Sequence, residues 1–148
     1  MTTKHFFRML MVLAIAGIML NSCEKQRMEG DWDPMEWNDE SGLERVDNVY
    51  QVPASGGSYK FHCKNYSNFW ISSIEEGGEF YHPDLDNNDW QDISGQWTRV
   101  QCLPDGDLVV TFQPLSFYSS ASQRTMMLVV TAGDIFHGFI FVQKNIAN

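Results

Sequence analysis

Thr125-Met126-Met127-Leu128-Val129-Val130-Thr131-Ala132-Gly133-Asp134-Ile135-Phe136-His137-Gly138-Phe139-Ile140-Phe141-Val142 is the stretch that decides the fold. Two runs of β-branched and aromatic residues, Thr125 to Thr131 and Ile135 to Val142, meet at Gly133-Asp134, a turn pair that closes a β-hairpin. Apolar residues occupy both faces of both runs. They therefore lie centrally in a sheet, or the N-terminal segment covers one face.

Working back from the hairpin, the period stays at two. Leu108, Val110 and Phe112 point one way while Val109, Thr111 and Gln113 point the other, after a turn at Pro104-Asp105-Gly106-Asp107. Trp97 to Leu103 is a strand with Val100 and Cys102 on one face. Asn68-Phe69-Trp70-Ile71-Ser72 is another, and its Trp70 reads as core. Tyr59, Phe61 and Cys63 alternate with Lys60, His62 and Lys64, behind a turn cluster at Pro53-Ala54-Ser55-Gly56-Gly57 and a short strand Val49-Tyr50-Gln51-Val52. No ten-residue segment beyond the N-terminal signal has a 3.6 period. About seven short strands with this spacing predict an all-β, immunoglobulin-like antiparallel β-sandwich over residues 48–148, preceded by an N-terminal tether.

The first residues speak of location. Lys4, His5 and Arg8 precede an uncharged run from Met9 to Leu20, and Leu20-Asn21-Ser22-Cys23 follows. A basic start, an apolar run too short to span a bilayer and a small residue before a cut make a secretory signal over residues 1–22. Leu at −3, Ser at −1 and Cys at +1 resemble a bacterial lipobox, which implies acylation of Cys23 and a lipid-anchored protein of the outer membrane, on its cell-surface or periplasmic face. Two or three acyl chains on one residue, each CH₂ contributing about 0.8 kcal/mol, hold firmly. The membrane is then a partner through lipid alone. Without Lys4 and Arg8 the 10 Lys+Arg and 19 Asp+Glu become 8 against 19, a net charge of −11. So acidic a chain excludes nucleic acid as a partner.

Residues 23–47 read as an acidic tether, with nine acids from Glu24 to Asp47 against Lys25, Arg27 and Arg45. Trp32 and Trp37 stand out within it. Spacers seldom carry such aromatics, so the two either dock back onto the domain as an arm or present a ligand-binding stretch.

The segment Glu75–Gln96 carries the local chemistry. From Glu75 to Asp92 it has seven acids and no Lys or Arg. Asp84, Asp86, Asn88 and Asp89 offer oxygens at close spacing, as calcium loops do. An EF-hand starting at Asp84 is excluded, because its sixth and twelfth positions hold Asp89 and Gly95 rather than Gly and Glu. An irregular calcium site and a merely solvated acidic loop remain as alternatives, and no other cofactor is implied. The same segment supplies Tyr81, Asp86, Asn88, Trp90 and Gln91, with Trp97 just beyond. Flat aromatic faces lie against the apolar face of a pyranose while carboxylates and amides pair with its hydroxyls, so these six residues are candidates for a glycan surface. Large aromatics also serve as core or loop anchors in small sandwiches.

Catalysis finds little footing. Glycosidases set two carboxyl groups about 5–9.5 Å apart across a cleft, and a chain this short has no room for such a cleft beside its core. His62, His82 and His137 lack zinc-ligand spacing, and no Gly-x-Ser-x-Gly occurs. Cys63 and Cys102 share the inward parity of their strands. In an oxidising compartment they either pair, closing a loop worth roughly 3–4 kcal/mol, or stay as small buried apolar residues.

Val52-Pro53-Ala54-Ser55-Gly56-Gly57-Ser58-Tyr59-Lys60-Phe61 resembles the opening strand and Gly-Gly turn of a BACON domain (Bacteroidetes-associated carbohydrate-binding, often N-terminal). Trp70-Ile71-Ser72 is similar to that family's early Trp. Leu108 to Phe112, Arg124 to Val130 and Ile140-Phe141-Val142-Gln143 are similar to its last three strands, including the Arg that opens the penultimate one. The resemblance covers residues 48–148. It implies an immunoglobulin-like sandwich and a carbohydrate- or mucin-binding role, with a spacer role in some members. Two departures stand out: Gln113-Pro114 where the family has an Asn, and a longer, more acidic Glu75–Gln96. The function this predicts is a non-catalytic glycan-binding lipoprotein, the alternative being a spacer or a protein-interaction subunit of a surface complex.

Overall fold

The structure is a computed structural model that describes residues 32–84, 86–87, 89–115 and 122–144. The signal, the lipid-attachment residue Cys23 and the loop residue Asn88 lie outside the described residues. A compact unit spans residues 33–148.

Its strands form two sheets. The first runs β1 (Trp37–Asp39), β4 (Gly57–Cys63), β9 (Asp107–Phe112), β8 (Thr98–Leu103), β7 (Asp92–Ser94). The second runs β2 (Glu44–Val46), β3 (Val49–Pro53), β11 (Ile135–Lys144), β10 (Gln123–Ala132), β5 (Trp70–Glu76), β6 (Glu79–Tyr81). In the first sheet β4, β9 and β8 occupy the places of immunoglobulin strands B, E and D. In the second β11, β10 and β5 occupy those of G, F and C. The seven expected strands are all present. Four three-residue strands join them at the margins, and β3 pairs parallel with β11 rather than antiparallel. After β3 the chain turns at Ala54–Gly56 and enters the opposite sheet as β4. Gly56 has φ +70°, and a Cβ there would meet the Phe112 carbonyl oxygen at 2.2 Å; the turn therefore demands glycine.

The hairpin reading holds residue by residue: β10 and β11 pair from Gln123↔Lys144 to Ala132↔Ile135, with Met126, Leu128, Val130, Phe139 and Phe141 buried. Both strands lie centrally, which explains apolar residues on both faces. The core between the sheets is strongly aromatic, with Tyr50, Phe61 and Phe112 each packed against Phe141 at 5–6 Å centroid spacing.

Two expectations need correction. The stretch 33–47 is not a plain spacer, since β1 pairs with β4 and β2 with β3. Trp37 meets Phe69 and Phe139 edge-on at 5.2 and 4.9 Å, and Met35 is buried. Asn65 clasps the Glu36 N–H and the Pro34 carbonyl, and Tyr66 donates to the Asp33 carbonyl. Trp37 thus docks as an arm, while Trp32 is 68% exposed. The second correction concerns Cys63 and Cys102, which are free and buried. They sit on β4 and β8, with β9 between them, so two inter-strand steps of about 4.8 Å exceed the reach of a disulfide.

Candidate functional site

Strand β5 opens with the alternation Phe69 in, Trp70 out, Ile71 in: Phe69 and Ile71 are buried and Trp70 is 36% exposed. Trp70 is therefore not core. It faces outward in the same row as Thr131 of β10 and Phe136 of β11. A register shift between Val129 and Val130 bulges this end of β5, the kind of kink that re-aims a side chain.

Past the end of β6, the edge of β5 is taken over by the loop that returns to β7. The Trp90 carbonyl accepts the Ile71 N–H at 2.9 Å, and the Gln91 carbonyl accepts the Cys102 N–H at 2.7 Å. The backbone of Trp90-Gln91 is thus stitched to one strand of each sheet. Just before it, the Asp89 carboxylate accepts the Asp92 N–H at 3.2 Å. Asp92 in turn accepts from Arg99 through Nε at 2.8 Å and Nη2 at 2.5 Å, and from Gln101 Nε2 at 2.9 Å. The Arg99 hydrogen bond holds the Asp92 carboxyl below the usual carboxylate range. Trp70, Asp89, Trp90 and Gln91 line an open groove of about 460 Å³. Among the described residues its walls are two indoles and its polar side chains are one carboxylate and one amide.

Of the six glycan candidates, the groove takes two, Trp90 and Gln91. Tyr81, on β6 opposite Ile74, packs partly buried against the core. Asp86 is exposed in the loop, its N–H donating to Asp84. Asn88 lies outside the described residues. Trp97 is 8% exposed and covered by Arg124, whose guanidinium carbon stands 4.2 Å from the indole centroid. Trp70, read as core, is the residue the sequence reading missed. The signal was there: Phe69 and Ile71 cannot both face inward unless Trp70 faces out.

The calcium alternative for Asp84, Asp86, Asn88 and Asp89 finds no ligand set among the described residues. Asp84 spends both carboxylate oxygens inside the loop, accepting from the Asp86 N–H and from Asn87 Nδ2, and Asp84 bridges to Asp89 across the tip. These oxygens close a turn.

The opposite end of β5 carries a second polar-aromatic cluster, and it is buried. Both Glu76 oxygens accept from the backbone of residues 96–98, at 2.7 Å from Gln96 and 2.9 Å from Thr98, and Thr98 Oγ1 adds a bond of 2.5 Å. Gly95 sits so close that a Cβ would meet Glu76 Oε1 at 2.3 Å. Gln143, fully buried, donates Nε2 to the carbonyls of Pro53, Ala54 and Gln113 and accepts from Arg124 Nε at 2.8 Å. Arg124 Nη2 also reaches the Gln113 carbonyl at 2.6 Å. This cluster gives Arg124 and Gln143 a structural role, and at Gln113 it uses the backbone carbonyl.

No protein-family model matches the chain, and no curated protein matches it. A solved structure does: the NMR structure of a protein from Bacteroides thetaiotaomicron is 34% identical, with a TM-score of 0.61, over 79% of this chain and 92% of that one.

Proposed function

The chain belongs to the same family as that Bacteroides thetaiotaomicron protein, and from its own sequence and groove we propose that it is a cell-envelope lipoprotein whose sandwich binds a glycan without catalysis. The groove of Trp70, Asp89, Trp90 and Gln91 carries the reading. Two indole faces supply the stacking surface a sugar ring needs, and the Asp89 carboxylate and Gln91 amide supply partners for its hydroxyls. Rigid attachment of the Trp90-Gln91 backbone to both sheets presents these groups with little ordering cost on binding. Among the described lining residues one is a carboxylate, whereas glycoside hydrolysis uses a pair. The resemblance to BACON domains and the lipobox-like ending at Cys23 support the same reading, with the outer membrane as the proposed site of attachment.

The test is binding of the mature chain carrying Cys23→Ser to a panel of mucin and plant polysaccharides, followed by tryptophan fluorescence. Saturable binding that Trp90→Ala and Trp70→Ala each abolish supports the reading; saturable binding untouched by both contradicts it. A scaffold or protein-interaction role is favoured by one other observation. Met127 and Phe80, like Phe136, are exposed on the outward side of the second sheet, and exposed apolar residues grouped on one face mark docking surfaces.

A further inference from the structure

The groove does not end at Trp70. Because β10 occupies one side of β5, the Ile71 N–H that reaches the Trp90 carbonyl points to the other side. Across the sheet the order is therefore Trp90, then Trp70 on β5, Thr131 on β10 and Phe136 on β11. Thr131 faces outward between the two aromatics yet is only 5% exposed, while Phe136 is 63% exposed. Two strand steps of about 4.8 Å put the backbones of Trp70 and Phe136 roughly 10 Å apart. Thr131 turns its hydroxyl to the Gly133 carbonyl at 2.6 Å, so its polar atom is already engaged. Beside Phe136, Gly138 leaves the outer face of β11 bare, opposite Val129.

Charge narrows what can lie there. Asp89 lines the groove, and Asp84 and Asp86 are exposed beside it with no Lys or Arg from residue 75 to 92. The six cations among the described residues are placed elsewhere or engaged. Arg99 is held by Asp92, Lys60 by Glu40 and Asp107, and Arg124 by Gln143 over Trp97. Arg45 sits over Tyr50, the Lys64 backbone bonds Glu36 beside β1, and Lys144 is at the far end of β11 from Phe136.

Building on the glycan-binding reading, we infer that the ligand is an uncharged glycan chain, extended across Trp90, Trp70 and a further subsite at Phe136. An interior stretch of chain fits an open row of three aromatics, whereas a single terminal sugar would use the groove alone. Sulfate, sialic acid or uronate would bring a negative charge against Asp89, with no unengaged cation beside it among the described residues.

The experiment pairs each neutral polysaccharide of a panel with a sulfated derivative of itself, and adds short and long oligosaccharides of whichever neutral glycan binds. The mature chain carrying Cys23→Ser should bind the neutral form at least ~10-fold more tightly than its sulfated partner, with the gap shrinking as salt is added. Asp89→Asn should narrow that gap. Phe136→Ala, an exposed change whose unfolding midpoint should match the parent, should weaken long oligosaccharides about 10-fold and leave the disaccharide unchanged. Equal or tighter binding of sulfated forms, or a long chain indifferent to Phe136→Ala, overturns this inference while leaving binding at Trp90 in place. Failure of every glycan, neutral and charged, removes the groove reading itself and this inference with it.

Discussion

Trp97 and Trp90 sit seven residues apart in the sequence, each next to a glutamine, and the fold gives them opposite work. Trp97 lies under the Arg124 guanidinium beside Glu76, where the buried side-chain oxygens accept hydrogen bonds and Gly95 leaves no space for a methyl group. The Trp90 carbonyl is tied to β5 by the Ile71 N–H, and its side chain lines an open groove with Trp70. Satisfied hydrogen bonds and burial turn the first set of residues into structure. Fixed backbone beside open space makes the second set available to a ligand.

The sharpest break of that contrast is Glu76→Ala. It strands the N–H groups of residues 96–98 and the Thr98 hydroxyl in the interior, and should cost about 3–5 kcal/mol in urea unfolding. Trp97→Ala should cost a similar ~3–5 kcal/mol by emptying a packed site. Neither variant should change glycan affinity in the fraction that remains folded. Trp90→Ala inverts the pattern. Its unfolding midpoint should hold within about 0.5 kcal/mol, while affinity for the bound glycan should fall by about 2 kcal/mol, roughly 30-fold.

Smaller effects sharpen the account of the core. The Cys102 thiol, pushed up to about 12 by burial, should resist labelling in the native protein, as should buried Cys63. Reductant should leave the melting temperature unchanged, because β9 keeps the two sulfurs apart; a drop would restore the disulfide. The smallest effect is a pH dependence. Burial first, then the Arg45 charge, hold the His137 imidazole below its ordinary range beside Trp37 and Phe139. The unfolded chain then takes up the proton first. The contribution is full above about pH 6.5 and is lost as pH falls toward the folded-state value. His137→Phe, which keeps the ring contacts, should flatten that limb of the stability curve.

The sandwich was legible because it rests on local alternation. Most of the long strands show their period in sequence, the β10–β11 pair shows as two β-branched and aromatic runs, and Gly133-Asp134 and Gly56-Gly57 mark turns through backbone chemistry. The short strands were not legible. Trp37–Asp39 and Glu44–Val46 carry mostly polar residues, and only pairing with β4 and β3 makes them strands. The site was half legible. Composition singled out Trp90 and Gln91, but placing Trp70 and Phe136 beside them required knowing that β5, β10 and β11 are neighbours. The same limit hid the separation of Cys63 from Cys102, since inward parity says nothing of the strand between. Trp97 was misplaced for a related reason: its cover, Arg124, is distant in sequence and adjacent only through the closing pair of strands.

The most direct measurement follows the indole N–H signals of the five tryptophans by NMR as a binding neutral glycan is titrated in. Trp70 and Trp90 should shift together to saturation, while Trp97 beneath Arg124 and Trp37 in the docked arm stay in place. Saturable binding that moves Trp97 or Trp37 and leaves Trp70 and Trp90 unmoved would contradict the assignment of the groove.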